Sequence, residues 1–247
     1  MDKGRAEPLR HRIETAVADT VETVSERLAE IKPKLRGWIH AGSAPLVLAA
    51  GIVLVVLAPS GAPKTGAAVF SLASLMLFTV SATYHRGHWG PRAHAFLKRW
   101  DHANIFLLIA GTYTPFSLLL LHGTSRAVLL WVVWTGAILG VFFRIFWTDA
   151  PRWLYVPIYV AMGWAAVFFI PGFFSGATSI GFGTGIATCV LIIVGGLLYT
   201  MGGVVYGFKW PDPSPRWFGF HEIFHVFTIL AFVAHYTGVS LTIYALR

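Results

Sequence analysis

The sequence predicts an all-α membrane protein: a seven-transmembrane helix bundle with a cytoplasmic N-terminus, preceded by an amphipathic helix. Three observations predict it. The 247 residues are 56% hydrophobic and 12% charged, a balance that a soluble domain does not carry. Seven apolar runs approach the ~20 residues needed to cross a bilayer as a helix. The basic residues fall on alternate connections between those runs, which is how Lys and Arg set orientation in a membrane.

The elements follow in chain order. Residues 1–36 form a charged segment in which Val17, Val21, Val24, Leu28 and Ile31 recur at steps of four and three, a stripe that would lie on a membrane surface or cover the bundle. Pro33 and Gly37 separate it from a membrane domain over 37–247. The spans are read near 39–59, 65–85, 101–121, 126–147, 152–171, 181–207 and 219–244. Gly, Pro or charged residues punctuate each junction, and Trp38, Trp89, Trp100, Trp147, Trp153, Trp210, Trp217 and Tyr244 sit near the ends, where aromatic side chains favour the interface. The sixth span is rich in glycine. In lipid, small residues permit close helix approach.

Arg86, Arg92, Lys98 and Arg99 follow the second span, Arg144 and Arg152 bracket the next connection on that side, and Lys209 and Arg216 follow the sixth. Lys32, Lys34 and Arg36 precede the first, while the opposite side holds Lys64, Arg126 and Arg247. The N-terminus is therefore expected in the cytoplasm and the C-terminus outside, in a multi-pass protein of the cell membrane, the inner membrane for a bacterium. The formal charge of +8 reads as topology signal and contact with anionic lipid, not as nucleic-acid binding, because the cations sit in short connections. The single cysteine, Cys189, excludes an internal disulfide and a thiolate metal cluster.

Beyond residue 36 the chain has four acidic residues, Asp101, Asp149, Asp212 and Glu222. Ionisable groups in membrane spans are costly and usually mark function. Ser81 and His85 share a face at the end of the second span, Asp101 opens the third apolar run, and His221 and His225 share a face at the start of the seventh. The orientation places all five at one cytoplasmic depth. Three neutral imidazoles suit zinc and leave a fourth tetrahedral position for water, the pattern of a catalytic site. Asp101 could then hold that water or take its proton, and Ser81 could orient a ligand or donate to a developing oxyanion. Alternatively Asp101 could pair with Arg99 or cap its helix. The lone histidines His88, His94, His102, His122 and His235 read as hydrogen-bonded boundary residues. Asp149 and Asp212 read as turn or cap residues.

Ser81-Ala82-Thr83-Tyr84-His85, Asp101-His102, Gly111-Thr112-Tyr113-Thr114-Pro115-Phe116 and His221-Glu222-Ile223-Phe224-His225 together resemble the hemolysin III family, bacterial relatives of the adiponectin and progestin receptors. Lys34-Leu35-Arg36-Gly37-Trp38-Ile39-His40 is similar to that family's approach to its first span. The resemblance covers roughly 32–244. It implies a seven-helix bundle with zinc held by His85, His221 and His225 near the cytoplasmic side, a water held by Asp101, and Ser81 beside them. The wider superfamily includes alkaline ceramidases, which implies hydrolysis of a lipid amide or ester. Glu222 departs from the receptor branch and is a second candidate base.

The expected function is a zinc-dependent hydrolase of a membrane lipid, such as a ceramide-like amide. A pore, a receptor with structural zinc, and a metalloprotease reading of His-Glu-x-x-His with Glu222 as base are the alternatives. A pore needs polar residues through the whole membrane thickness, and here they gather at one end.

Overall fold

The computed structural model of the protein describes residues 33–247; the stripe from Val17 to Ile31 lies outside them. Helices α1 (Trp38–Leu57), α2 (Ala62–Arg86), α3 (Pro91–Leu120) and α4 (Gly123–Phe146) each cross the bundle once. The fifth crossing is broken into α5 (Arg152–Gly163), a 3-10 turn (Ala165–Phe169) and α6 (Ile170–Ser179). Helices α7 (Phe182–Phe208) and α8 (Phe220–Tyr244) complete seven spans long and apolar enough to cross a membrane. Among the described residues there is no strand, only an isolated bridge between Ser214 and Phe218. This is an integral membrane protein.

Helix α3 is the most enclosed span and touches α2, α4, α5, α6 and α8. Phe70, Phe78, Phe106, Leu120, Leu129 and Ile243 pack the interior around it. The outer faces are as apolar as the inner ones: Leu46, Trp131, Phe168 and Phe208 are exposed, where lipid takes the place of water. Polar bonds tie spans together. The Trp134 indole donates to Thr114 Oγ1 at 3.1 Å, joining α4 to α3. The Tyr113 hydroxyl donates to the Gly163 carbonyl and accepts the Ala166 N–H at 3.0 Å. It thereby satisfies backbone groups freed where the fifth span breaks, as burial in lipid requires.

Helix α3 begins ten residues before Asp101, at Pro91, with Gly90 in the N-cap position. The basic run Arg92, Lys98 and Arg99 is therefore helical, and Asp101 lies inside the helix. It caps nothing, so that reading is excluded. The apolar run marked where the chain enters hydrocarbon; the helix started earlier because helical backbone also serves in the interface.

Candidate metal centre

The site forms where α2, α3 and α8 meet at the Lys/Arg-rich end of the bundle. Ser81 and His85 face inward from the last turns of α2. His221 and His225 do so from the first turns of α8. One ring nitrogen from each of His85, His221 and His225 lies within 4.8 Å of the others. The ring centroids are 4.9 Å (His85–His221), 5.4 Å (His85–His225) and 4.6 Å (His221–His225) apart. Zinc–nitrogen bonds of about 2.0–2.1 Å put tetrahedral donors roughly 3.4 Å apart. Small rotations of buried rings close that gap, so the donor set fits a metal ion.

Asp101 Oδ2 lies 3.7 Å from His85 Nε2, too far for a direct hydrogen bond. The carboxylate stands beside the histidine cluster, and it accepts the Ser81 hydroxyl. A small cavity of about 30 Å³ is bounded by Ser81, Asp101, His102, His221, His225 and His40. It has room for one or two waters. Four of the five residues selected on depth, Ser81, Asp101, His221 and His225, line this cavity, and His85 stands beside them. Gly37 helps admit His85: its φ is +78°, and an added Cβ would fall 2.7 Å from His85 Cβ.

Glu222 sits between two of these histidines in sequence but turns away from them. Its side chain is fully buried; Oε1 accepts Arg36 Nε at 2.8 Å and Oε2 accepts the Gly219 N–H at 2.8 Å. The second bond caps α8. The Lys34 and Leu35 N–H groups donate to the Arg216 and Trp217 carbonyls at 3.0 and 3.2 Å. The segment ahead of α1 is thus clasped to the start of the histidine helix. A carboxylate committed to a guanidinium and a helix cap is poorly placed as a general base.

Two imidazoles escaped the sequence reading. His40 of α1 is buried and stacks on His225, centroids 3.8 Å apart and planes 9° from parallel. The depth argument applied to the first span would have found it, since it starts at the same end. His102 lines the cavity too, in place of the boundary position expected for a lone histidine. His88, His94 and His122 are exposed near helix ends, where such residues are expected. His235 is not: it is buried in the middle of α8, with Nε2 bonded to the Ile192 carbonyl at 3.3 Å.

A second cavity begins beside the first. Leu77, Ile105, Tyr206, Phe224 and Thr228 border both. It measures about 420 Å³, is lined almost wholly by apolar groups, and extends between α3, the broken fifth span, α7 and α8 as far as Phe116, Phe173 and His235.

A family model described as "Haemolysin-III related" matches residues 28–236. The chain belongs to the hemolysin III family. Two hemolysin III relatives illustrate the similarity. Hemolysin-3 of Bacillus cereus is 32% identical over 193 residues, which is 77% of this chain and 82% of that protein. A hemolysin-3 homolog of Bacillus subtilis (strain 168) is 33% identical over 141 residues, 57% of this chain and 62% of its own length. The hemolysin III match includes α1 to α7 and the histidine pair of α8.

Proposed function

We propose that this protein is a zinc-dependent hydrolase of membrane lipids, cleaving an acyl amide or ester at the Lys/Arg-rich, cytoplasmic end of the bundle. The observation that carries this reading is the junction of the two cavities. A three-histidine cluster with a neighbouring carboxylate opens directly beside an apolar chamber of about 420 Å³, within the range of sites that hold a drug-sized ligand. An acyl chain in that chamber would bring its carbonyl to the histidines.

In this reading His85, His221 and His225 hold the zinc, which when bound polarises a carbonyl and acidifies water. Asp101 accepts the proton of the attacking water and returns it to the leaving amine or alkoxide, as a general base and then acid. Ser81 donates to Asp101 and so fixes the carboxylate that handles the proton. The chamber's apolar wall excludes bulk water, strengthening each polar interaction at the reacting end. Glu222 serves the fold, which argues against the metalloprotease alternative.

The alternative of a conducting pore is disfavoured by the same lining, since an ion path needs polar groups along its length. Single-chain lipid products would themselves disturb a bilayer, so the lysis in the relatives' name is compatible with a hydrolase. A receptor with structural zinc would use the same residues. The separating experiment is Asp101→Asn, with zinc content and lipid turnover measured on one sample by metal analysis and mass spectrometry. Zinc should stay bound while hydrolysis of a ceramide-like amide or acyl ester falls roughly 10²–10⁴-fold. Equal turnover in both proteins would remove Asp101 from the chemistry. No turnover in either, across a broad lipid panel, would favour the receptor.

A further inference from the structure

The apolar chamber is open on one side, between the fifth crossing and α7. Among the described residues, every exposed side chain that lines it stands there: Trp164, Val167, Ile170 and Phe174 on the fifth crossing, Ile193 and Leu197 on α7. The two elements run antiparallel and touch at both ends. Toward the cytoplasmic end, a Cβ on Gly203 or Gly207 would meet Val160 or Val156 at 3.5 Å. Toward the outer end, Gly185 lies so close to the Ala177 backbone that no Cβ would fit. Between these contacts the pair parts. The 3-10 turn packs on α4 in preference to α7. A Cβ on Gly196, which also lines the chamber, would meet nothing within 4 Å. The Trp164 indole donates to Thr200 Oγ1 at 3.0 Å and fixes the cytoplasmic edge of the gap, since an indole N–H in hydrocarbon needs an acceptor. The result is a slot near the middle of both spans, edged by apolar side chains and facing lipid.

The slot bears on how long a bound chain can be. Phe116, at the far end of the chamber, lies fifteen residues beyond Asp101 on α3. At 1.5 Å per residue that is about 22 Å from the metal centre. An extended acyl chain advances roughly 1.25 Å per carbon when C–C bonds near 1.5 Å are projected on its axis, so about eighteen carbons fill the chamber. In a closed chamber a longer chain would crowd the walls, and an overfilled interior is unfavourable. Here the surplus can turn out through the slot. Its methylenes then pass from one hydrocarbon medium to another, with no apolar surface given to water.

Resting on the hydrolase reading for the position of the carbonyl, we infer that the slot is an exit for the acyl chain: the tail of a long lipid leaves the chamber between residues 167–174 and 193–197 and ends in the bilayer. The protein therefore sets no upper limit on acyl-chain length, and its substrate class takes in very long-chain amides or esters beside those of ordinary length. Gly196 keeps the slot clear, because a large side chain there would project into the gap.

Binding of free acids tests this without turnover. Full-length protein in phosphatidylcholine nanodiscs is titrated with palmitoleic, oleic, erucic and nervonic acids, of sixteen, eighteen, twenty-two and twenty-four carbons. Each is dosed as a mole fraction of lipid and read by displacement of a fluorescent fatty acid. Wild type should bind all four within about threefold of one another, since the added methylenes only exchange lipid for lipid. Gly196→Phe should still bind palmitoleic and oleic acid but hold erucic and nervonic acid roughly tenfold more weakly, the effect of crowding a full chamber. Ile193→Trp, which enlarges a rim residue already 60% exposed, takes its place if Gly196→Phe fails to fold. A wild-type affinity that drops about tenfold beyond eighteen carbons, or a plugged variant that binds nervonic acid as well as oleic acid, overturns the slot and leaves the hydrolase reading standing. Failure of all four acids to bind overturns the acyl chamber itself, and the slot with it.

Discussion

Arg36→Ala should destabilise this protein more than Glu222→Gln, although the two residues form one ion pair. Glu222 is fully buried, whereas the Arg36 side chain is 22% exposed. Removing the guanidinium strands a carboxylate that keeps only the Gly219 N–H. Breaking a buried pair in this way costs about 3–5 kcal/mol, and some access to solvent near Arg36 places the expectation at the lower end. At roughly 2–4 °C per kcal/mol for a chain of this size, the unfolding midpoint should fall by about 6–12 °C. Glu222→Gln instead removes the buried charge, and Arg36 can turn its own charge toward the interface. Arg36 and Gly219 donate to different carboxylate oxygens, and the amide keeps an oxygen at only one of those positions, so the loss is about one hydrogen bond, near 1 kcal/mol. The double variant should be more stable than Arg36→Ala alone, which a thermodynamic cycle measures. The assay is a thermal scan in detergent with zinc content and lipid turnover measured alongside. Glu222→Gln more damaging than Arg36→Ala would refute the clasp. Loss of turnover in Glu222→Gln with zinc and stability retained would make Glu222 a chemical base after all.

Three further outcomes are expected. Purified protein should carry about one zinc per chain, lost on His85→Ala, His221→Ala or His225→Ala; metal analysis showing unchanged zinc in all three would dismiss the site. A reporter after Arg247 should be external and one placed between Arg92 and Lys98 cytoplasmic; a cytoplasmic C-terminus would contradict the orientation taken from the Lys/Arg distribution. Gly37→Ala should weaken zinc binding, because its φ of +78° and the approach to His85 Cβ leave no place for a methyl group; an unaltered zinc affinity in a competition titration would show that the segment can shift aside.

The sequence by itself determined the fold class, the number of crossings and the shared depth of Ser81, His85, Asp101, His221 and His225, but not that of His235, which lies in the middle of α8 and not at a boundary. Those properties depend on position along the membrane normal, and hydropathy reports that directly: an apolar run enters the hydrocarbon at one charged end and leaves at another. Ser81, His85, Asp101, His221 and His225 were therefore recoverable as a group before any packing was known. Rotation about each helix axis was not recoverable. In water an apolar face points inward, but here lipid and protein interior are equally apolar. Leu46 is 72% exposed and Leu54 fully buried on the same helix, and nothing in their side chains tells them apart. Only the tertiary structure decided that Glu222 turns from its flanking histidines toward Arg36, that His40 stacks on His225, and that His235 faces a chamber instead of lipid. The break in the fifth span was hidden for the same reason. Its backbone groups are satisfied by Tyr113 from another helix, and a bond made 50 or more residues away leaves no local mark in the chain.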